Sequence, residues 1–148
     1  MPANSASVTV PAHVLPHRSP SELLRLARNG LDEAAATSQD GLRYATAHLA
    51  ALRAAAAVLA IRAQPVPGGR NRMTSVWALL TRVAPELGEW AAFFAAGAAK
   101  RAAAEAGIPR VVSGRDADDL LRAAEQFTAV VEVALGLAHQ PTLVPAAA

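Results

Sequence analysis

Apolar side chains recur in steps of three and four residues along four segments of the chain, which is the spacing of amphipathic α-helices. The first segment follows Ser-Pro-Ser-Glu at residues 19–22, a capping box with proline at the first helical position. Its apolar stripe comprises Leu23, Leu26, Ala27, Leu31 and Ala34. This pattern predicts a helix that runs to about Ala36.

The second segment predicts a long alanine-rich helix. Asp40 is expected to cap its start, because a carboxylate there can accept hydrogen bonds from the first free amides. The helix is expected to end near Ala63, because two prolines and two glycines follow within residues 64–69. The predicted inward seam comprises Leu42, Ala45, Leu49, Leu52, Ala56 and Leu59.

The third segment, which begins near Thr74, contains a proline in its middle. Pro85 predicts either a kink or a restart of the helix, because proline lacks the amide hydrogen that a continuous helix needs. Gly107 and Pro109 are expected to end this bent unit. Its predicted seam comprises Trp77, Leu80, Ala84, Leu87, Ala91, Phe94 and Ala98.

The fourth segment opens at Ser-Gly-Arg-Asp, residues 113–116. Asp116, Asp118 and Asp119 suit the positive end of a helix dipole, so a helix is predicted to start here and to fade by Ala138. Its inward stripe comprises Leu120, Ala124, Phe127, Val131 and Ala134.

Four principal helices with short connections predict an all-α fold, a four-helix bundle with a proline-kinked third helix and flexible termini. Residues 1–18 are assigned to a flexible N-terminal arm, residues 19–138 to the bundle and residues 139–148 to a flexible tail. The composition supports this fold. Because 53% of residues are hydrophobic but only 4% are aromatic, small side chains are expected at the contacts between closely packed helices.

Composition also excludes several functions. The chain has no cysteine, which excludes disulfides and cysteine nucleophiles and agrees with a reducing compartment. The start lacks the order of a secretory signal, and the uncharged run at residues 90–99 is shorter than the about 20 residues of a bilayer crossing. We expect a soluble, cytoplasmic protein without a membrane partner. His13 and His17 lack a third ligand, so neither metal nor another cofactor is expected.

Charge is unevenly distributed, although the formal net charge is only +2. Residues 62–115 hold eight cations against three acids, whereas residues 116–148 hold five acids against one arginine. The candidate contacts for RNA, DNA or a nucleotide are Arg62, Arg70, Arg72, Arg110 and Arg115. Such binding would weaken steeply with salt. The alternative is that the opposite charges neutralise one another.

One pair of side chains has the chemistry of a ribonuclease. A neutral His48 could take the proton of a ribose hydroxyl, while Arg43 holds the phosphate and stabilises its developing charge. Five residues along a regular helix, however, separate two side chains by about 140°. The competing interpretation is structural: His48 flanks the seam beside Leu49, and Arg43 either solvates the helix start or pairs with a neighbouring acid.

Two segments, RYATAHLAALRAA at residues 43–55 and GRDADDLL at residues 114–121, resemble the small actinobacterial HEPN-domain proteins. The resemblance covers most of residues 19–138. It implies a helical bundle that commonly dimerises and occurs beside nucleotidyltransferases, in toxin pairs and in RNA-cutting enzymes. The active members share an Arg-x4–6-His motif, thought to need no metal, whose two copies meet across the dimer interface. Arg43 and His48 satisfy that spacing.

In the HEPN superfamily the motif usually lies near the start of the last principal helix. Here the pair lies on the second helix, and the later position holds Arg115 with no histidine within reach. We therefore expect a homodimeric, non-catalytic module that associates with a protein or with nucleic acid. The alternatives are a metal-independent ribonuclease that uses Arg43 and His48, and the partner subunit of a toxin–antitoxin-like pair.

Overall fold

The computed structural model describes residues 8–11, 18–66 and 75–137. Its elements are strand β1 (Val8–Pro11), helix α1 (Pro20–Ala35), helix α2 (Asp40–Arg62), strand β2 (Ala63–Val66), helix α3 (Val76–Val83), a 3-10 turn (Pro85–Leu87), and helices α4 (Gly88–Ala96), α5 (Ala98–Glu105) and α6 (Gly114–Ala134). The predicted all-α class is confirmed. The predicted third helix is divided into α3, α4 and α5.

Helices α1 and α6 start at a serine cap: the cap of α1 was predicted, whereas the start of α6 was predicted from its acidic residues and not from a capping box. The hydroxyl of Ser19 accepts a hydrogen bond from the amide of Glu22 at 3.1 Å. At α6, Ser113 and Asp116 form a reciprocal capping box, in which each side chain accepts from the other residue's amide. Each cap satisfies amides that a helix start otherwise leaves without partners.

The predicted cap of α2 is wrong by one residue. The side chain of Gln39 accepts the hydrogen bond from the amide of Leu42 at 2.8 Å, and Asp40 is the first residue of the helix. The carboxylate of Asp40 is instead bonded to Arg43 at 2.9 Å. A charged partner one turn away holds Asp40 more strongly than a neutral amide would.

Helix α2 lies at the centre of the bundle and packs against α1, α3, α5 and α6. Its fully buried residues are Ala47, His48, Ala50, Ala51, Ala54, Ala55, Ala57, Val58 and Leu59. The predicted single seam is therefore wrong: Leu42 is 55% exposed, and Leu49 and Leu52 are only partly buried. Because neighbouring helices cover α2 on several sides, alanine occupies most of its fully buried positions, and of its four leucines Leu59 alone is fully buried.

Helix α2 is also long and apolar enough to cross a bilayer by length and composition alone. In this bundle 61% of its most apolar stretch is buried within the chain, which is equally expected of a core helix. A search for uncharged runs misses this helix, because Arg43 and Arg53 lie within it.

The bent unit from α3 to α5 follows its predicted seam closely. Buried seam residues comprise Trp77, Leu80, Ala84, Leu87, Ala91 and Phe94. The chain leaves the α-helix at Pro85, as predicted, and resumes it at Gly88 after the 3-10 turn. A second interruption, at Gly97, was not predicted from the sequence. The unit ends beyond α5 at Gly107, whose φ of 78° is a left-handed value that favours glycine.

A partly buried ion pair joins the first and last helices. Arg28 of α1 donates from Nε to one carboxylate oxygen of Glu132 at 3.0 Å and from Nη2 to the other. The side chain of Glu132 is only 5% exposed. Such a bidentate pair fixes the separation and the orientation of the two helices.

The backbone of β1 pairs in parallel with β2, with Val8 opposite Ala63. This two-stranded ladder was not predicted, because four residues are too few to show a strand's alternation. Residues 1–7 and 12–17 of the predicted arm, and the whole predicted tail at residues 139–148, lie outside the described residues.

Candidate functional site

The guanidinium of Arg43 is anchored to the turn before its own helix. Nη1 donates to the carbonyl oxygens of Thr37 at 3.2 Å and Ser38 at 3.0 Å, and Nη2 donates to Asp40 at 2.9 Å. These carbonyl groups follow the end of α1. Arg43 therefore fastens the α1–α2 turn to the start of α2.

The same guanidinium reaches the start of α6. Nε donates to the carboxylate of Asp118 at 3.1 Å, and Nη2 donates to the carbonyl oxygen of Gly114 at 3.2 Å. With these bonds, the five N–H groups of Arg43 have five acceptors. The side chain is 11% exposed, so it has neither a free donor nor an open face for a phosphate.

His48 is completely buried among aromatic rings. Tyr44 stacks on its imidazole at 6.4 Å, whereas Trp77 and Phe94 meet it edge-on at 5.8 Å and 6.0 Å between ring centroids. A general base must contact the proton that it removes. This enclosure gives a bound ribose no path to the ring.

Both ring nitrogens of His48 have partners that define the tautomer. Nε2 lies 2.8 Å from the carbonyl oxygen of Phe94, which can only accept, so Nε2 carries the proton. Nδ1 lies 3.4 Å from Nη1 of Arg101, which can only donate, so Nδ1 is the acceptor. The contacts fit the neutral imidazole.

The electrostatics of the site favour the same state. Burial lowers the pKa of His48 below its ordinary value, and the positive charge of Arg101 lowers it further. The bond to Phe94 and the charge of Glu105, which lies in the turn after Arg101 on α5, oppose this effect. Desolvation is the largest cause, so the folded protein keeps His48 uncharged.

The structure does not give the predicted catalytic pair a common partner. Arg43 bonds to the α1–α2 turn and to the start of α6, whereas His48 bonds to the end of α4 and to α5. The contacts of both side chains agree with the structural interpretation of the sequence.

The predicted basic residues do not form one surface. Arg62 lies at the C-terminal end of α2, where it pairs with Glu86. Arg110 and Arg115 lie near the opposite end of α2, beside the start of α6. The 23 residues of α2 span about 33 Å at the rise of an α-helix. Arg70 and Arg72 lie outside the described residues.

Arg110 is the one described non-glycine residue with a left-handed backbone, with a φ of 62°. It lines an open cleft of about 400 Å³ between the α5–α6 loop and the start of α2. The side chain of Arg115 is 91% exposed, and its Nε lies 3.8 Å from a carboxylate oxygen of Asp119.

Comparison with protein-family models decides the family of this bundle. The model described as SAV_6107-like HEPN matches residues 34–132, which is two thirds of the chain. The chain belongs to the HEPN family. Comparison with curated proteins and with solved structures gives no match. The matched part of this HEPN protein runs from the end of α1 into the last turns of α6.

Sequence reasoning missed the partners that define the site of this HEPN protein. Asp118 and Phe94 lie 75 and 46 residues from the side chains they hold, so local spacing carries no signal for either contact. Arg101, whose Nη1 lies beside Nδ1 of His48, was identified in the sequence only as one of the eight cations of residues 62–115. Within the described residues, no group of three or more histidines and acids is arranged to hold a metal ion.

Proposed function

We propose that this HEPN protein is a non-catalytic, protein-binding module. The observation that carries the proposal is the enclosure of His48, whose two nitrogens contact Phe94 and Arg101 and whose ring is 0% exposed. The five occupied N–H groups of Arg43 support it independently. Both side chains contribute to stability in this arrangement, and neither is placed to contact a phosphodiester.

The test is an RNA-cleavage assay in EDTA on structured and unstructured RNA. We expect no cleavage by the purified wild-type protein, because metal-independent hydrolysis would need His48 and Arg43 at an open surface. His48→Gln is the informative variant, since glutamine can still donate a hydrogen bond to the carbonyl of Phe94.

Phe93→Ala is the matched control, because Phe93 is 48% exposed and lies beside the buried Phe94. Circular dichroism checks that both variants are folded. Cleavage by the wild type that persists in Phe93→Ala and disappears in folded His48→Gln would replace this proposal with the ribonuclease alternative.

We also propose that the protein forms a homodimer. Helix α6 supports this proposal, because Val133 is 72% exposed and Val130, one turn earlier, is 38% exposed. Covering both removes apolar surface from water. Sedimentation equilibrium should show twice the chain mass in the wild type and one chain mass after Val130→Glu and Val133→Glu together. A monomeric wild type at about 100 µM, a concentration that populates dimers of micromolar affinity, would refute the dimer.

A further inference from the structure

Helix α5 buries fewer residues than any other described α-helix. None of its eight residues is buried, whereas each of the others buries at least two. Of its alanines, Ala104 alone packs against the apolar core, where it lies beside Gly41 of α2. Segments with so little buried apolar surface are the first to open locally.

Glycines bound α5 on both sides. Gly97 separates it from α4, and Gly107 follows its end with a left-handed φ of 78°. Because glycine tolerates a wide range of backbone angles, both positions are suited to act as hinges. Movement of α5 therefore requires no change within α4 or α6.

A polar contact joins α5 to the buried face of α2. Nη1 of Arg101 lies 3.4 Å from Nδ1 of His48, which is longer than a typical hydrogen bond. The Nε of Arg101 is buried without a hydrogen bond to any described residue, although a carboxylate oxygen of Glu105 lies 3.5 Å away. The contact between Arg101 and α2 thus depends on Nδ1 remaining an acceptor.

Protonation of His48 would reverse this contact. Nδ1 would become a donor that faces the donor Nη1 of Arg101, and two positively charged groups would meet at 3.4 Å. Nε2 cannot relieve the repulsion, because it already donates to the carbonyl oxygen of Phe94. The repulsion therefore acts to push Arg101, and with it α5, away from α2.

The other charges around the imidazole do not remove this repulsion. The charged or titratable side chains near it comprise Tyr44 of α2, Lys100, Arg101 and Glu105 of α5, and Asp116 of α6. Lys100 and Asp116 pair with each other at 3.3 Å. Burial and the charge of Asp116 raise the pKa of Tyr44, so its phenol stays neutral. Of the two remaining charges, Arg101 affects the pKa of the imidazole more than Glu105 does.

Helix α5 is also the part of the enclosure that moves most easily. On its other sides the imidazole meets Trp77 of α3 and Phe94 of α4, which carry no charge, are at most 4% exposed and stack on each other at 5.1 Å between centroids. Displacing those rings would expose a large apolar area, whereas displacing α5 would expose little. Water therefore reaches Nδ1 by movement of α5.

We propose that α5 is an acid-sensitive latch, which packs on α2 at neutral pH and separates from it when His48 takes up a proton. Burial lowers the pKa of His48 while the latch is closed, and contact with water in the open form would return it towards the ordinary value of about 6.5. Because the open form binds the proton more readily, acid favours opening below that pH. Opening would uncover the face of α2 that carries Gly41 and His48. The latch goes beyond the proposed function, because its opening requires neither RNA nor a protein partner.

The test is amide hydrogen exchange of the full chain, measured by NMR at about pH 7.5 and about pH 5.5 and expressed as protection factors, which remove the intrinsic effect of pH. A separated helix of eight residues is unstable in water, so the amides of α5 exchange when the latch opens. We expect their protection to fall about tenfold between the two pH values, since the lower one is about one unit below the pKa of the open form.

Denaturant separates this local opening from global unfolding. Low concentrations of guanidinium chloride promote global unfolding, which exposes much surface, but leave a small local opening nearly unchanged. The core amides of α1 are the internal control: their exchange should accelerate with denaturant, whereas that of α5 should not. Equal denaturant dependence in α1 and α5 would show that only the whole bundle opens, and would overturn the latch.

Variants identify the group that takes up the proton. His48→Gln keeps a donor for Phe94 but has no charged form, so the protection of α5 should be the same at both pH values. Arg101→Gln, at a partly exposed position, removes the repelling charge and should reduce the fall to about threefold. Lys100→Gln is the matched control, because Lys100 pairs with Asp116. It should lower the protection of α5 by the same factor at both pH values.

Protection of α5 that does not change with pH in the wild type, or that falls equally in folded His48→Gln, would overturn the latch. An undiminished fall in Arg101→Gln would overturn it as well, because the repulsion between Arg101 and His48 would then have no effect. This variant keeps the test decisive even if His48→Gln does not fold, which circular dichroism checks.

Discussion

At the scale of the residue, burial separates a polar side chain that supports the fold from one that can react. Arg43 and His48 have the residue types and the spacing of a catalytic pair, and the sequence identified them on that ground. Their roles depend on Asp118, Gly114 and Phe94, which reach them from distant parts of the chain. Spacing along one helix cannot predict those contacts, because they form only when α4 and α6 pack against α2.

Arg43→Ala should lower the free energy of unfolding by about 3 kcal/mol, because it leaves Asp118 and several carbonyl groups without their charged donor. Denaturant titration followed by circular dichroism measures this change. Arg53→Ala, on the same helix, is the control and should cost less than about 0.5 kcal/mol, since Arg53 has no ion pair with any described residue. Equal losses in both variants would contradict the structural role of Arg43.

His48 predicts a pH dependence of stability. Because its pKa is lowered in the folded state, the unfolded chain binds a proton first as the pH falls below about 6.5. Stability should therefore be constant above that pH and decrease below it, towards the lower folded pKa. Thermal melts between about pH 7.5 and about pH 5 measure the effect.

The control for the pH dependence is His48→Gln, which cannot be protonated and should flatten the melting temperature across this range. The lowered pKa values of Glu86 and Asp116 act at more acidic pH, where their stabilising contribution is lost. A slope that is the same in the wild type and in His48→Gln would assign the effect to other groups.

At the scale of the element, helix starts and the proline break could be predicted because their causes are local. Ser19, Ser113 and Pro85 act through their own backbone or through an amide three residues away. The residue type at the second break, Gly97, depends on a distant part of the chain. A Cβ atom at Gly97 would lie 2.5 Å from the hydroxyl oxygen of Tyr44, so a close approach between α2 and the α4–α5 junction requires glycine.

Gly97→Ala should destabilise the protein by about 1–3 kcal/mol, because the added methyl group collides with Tyr44. Tyr44→Phe should relieve much of this loss, and a double-mutant cycle measures the coupling. Gly88→Ala is the control: its Cβ would lie 3.8 Å from Thr81, an ordinary contact, so it should be neutral or stabilise by up to about 1 kcal/mol. Additive effects of Gly97→Ala and Tyr44→Phe would refute the collision.

At the scale of the whole molecule, the fold class could be predicted from periodicity, whereas the shape of the charged surface could not. The sequence grouped Arg62 with Arg110 and Arg115 because all three lie in its basic middle section. The fold places the first at one end of α2 and the other two at the opposite end. Basic residues that are close in the sequence form one charged surface only when the helices that carry them pack side by side.

This separation predicts which arginines affect any affinity for RNA. Arg110→Ala and Arg115→Ala together should reduce the slope of log affinity against log salt by about 1.4, since each phosphate contact to a single strand contributes about 0.7. Arg62→Ala should leave the slope unchanged, because Arg62 is paired with Glu86. Fluorescence anisotropy with labelled RNA measures both slopes. An equal reduction by Arg62→Ala would contradict the prediction.

The ion pair between Arg28 and Glu132 shows that the unit of folding is larger than the unit of homology. The family match begins at residue 34, after most of α1, yet the carboxylate at its far end depends on that helix for its counter-charge. A fragment trimmed to residues 34–132 would lack Arg28 and also Leu23, Leu24, Ala27 and Leu31, the residues of α1 that pack in the core, so we expect it to be less stable than the full chain. The boundaries of the family match therefore differ from the boundaries of the part of this polypeptide that folds as one unit.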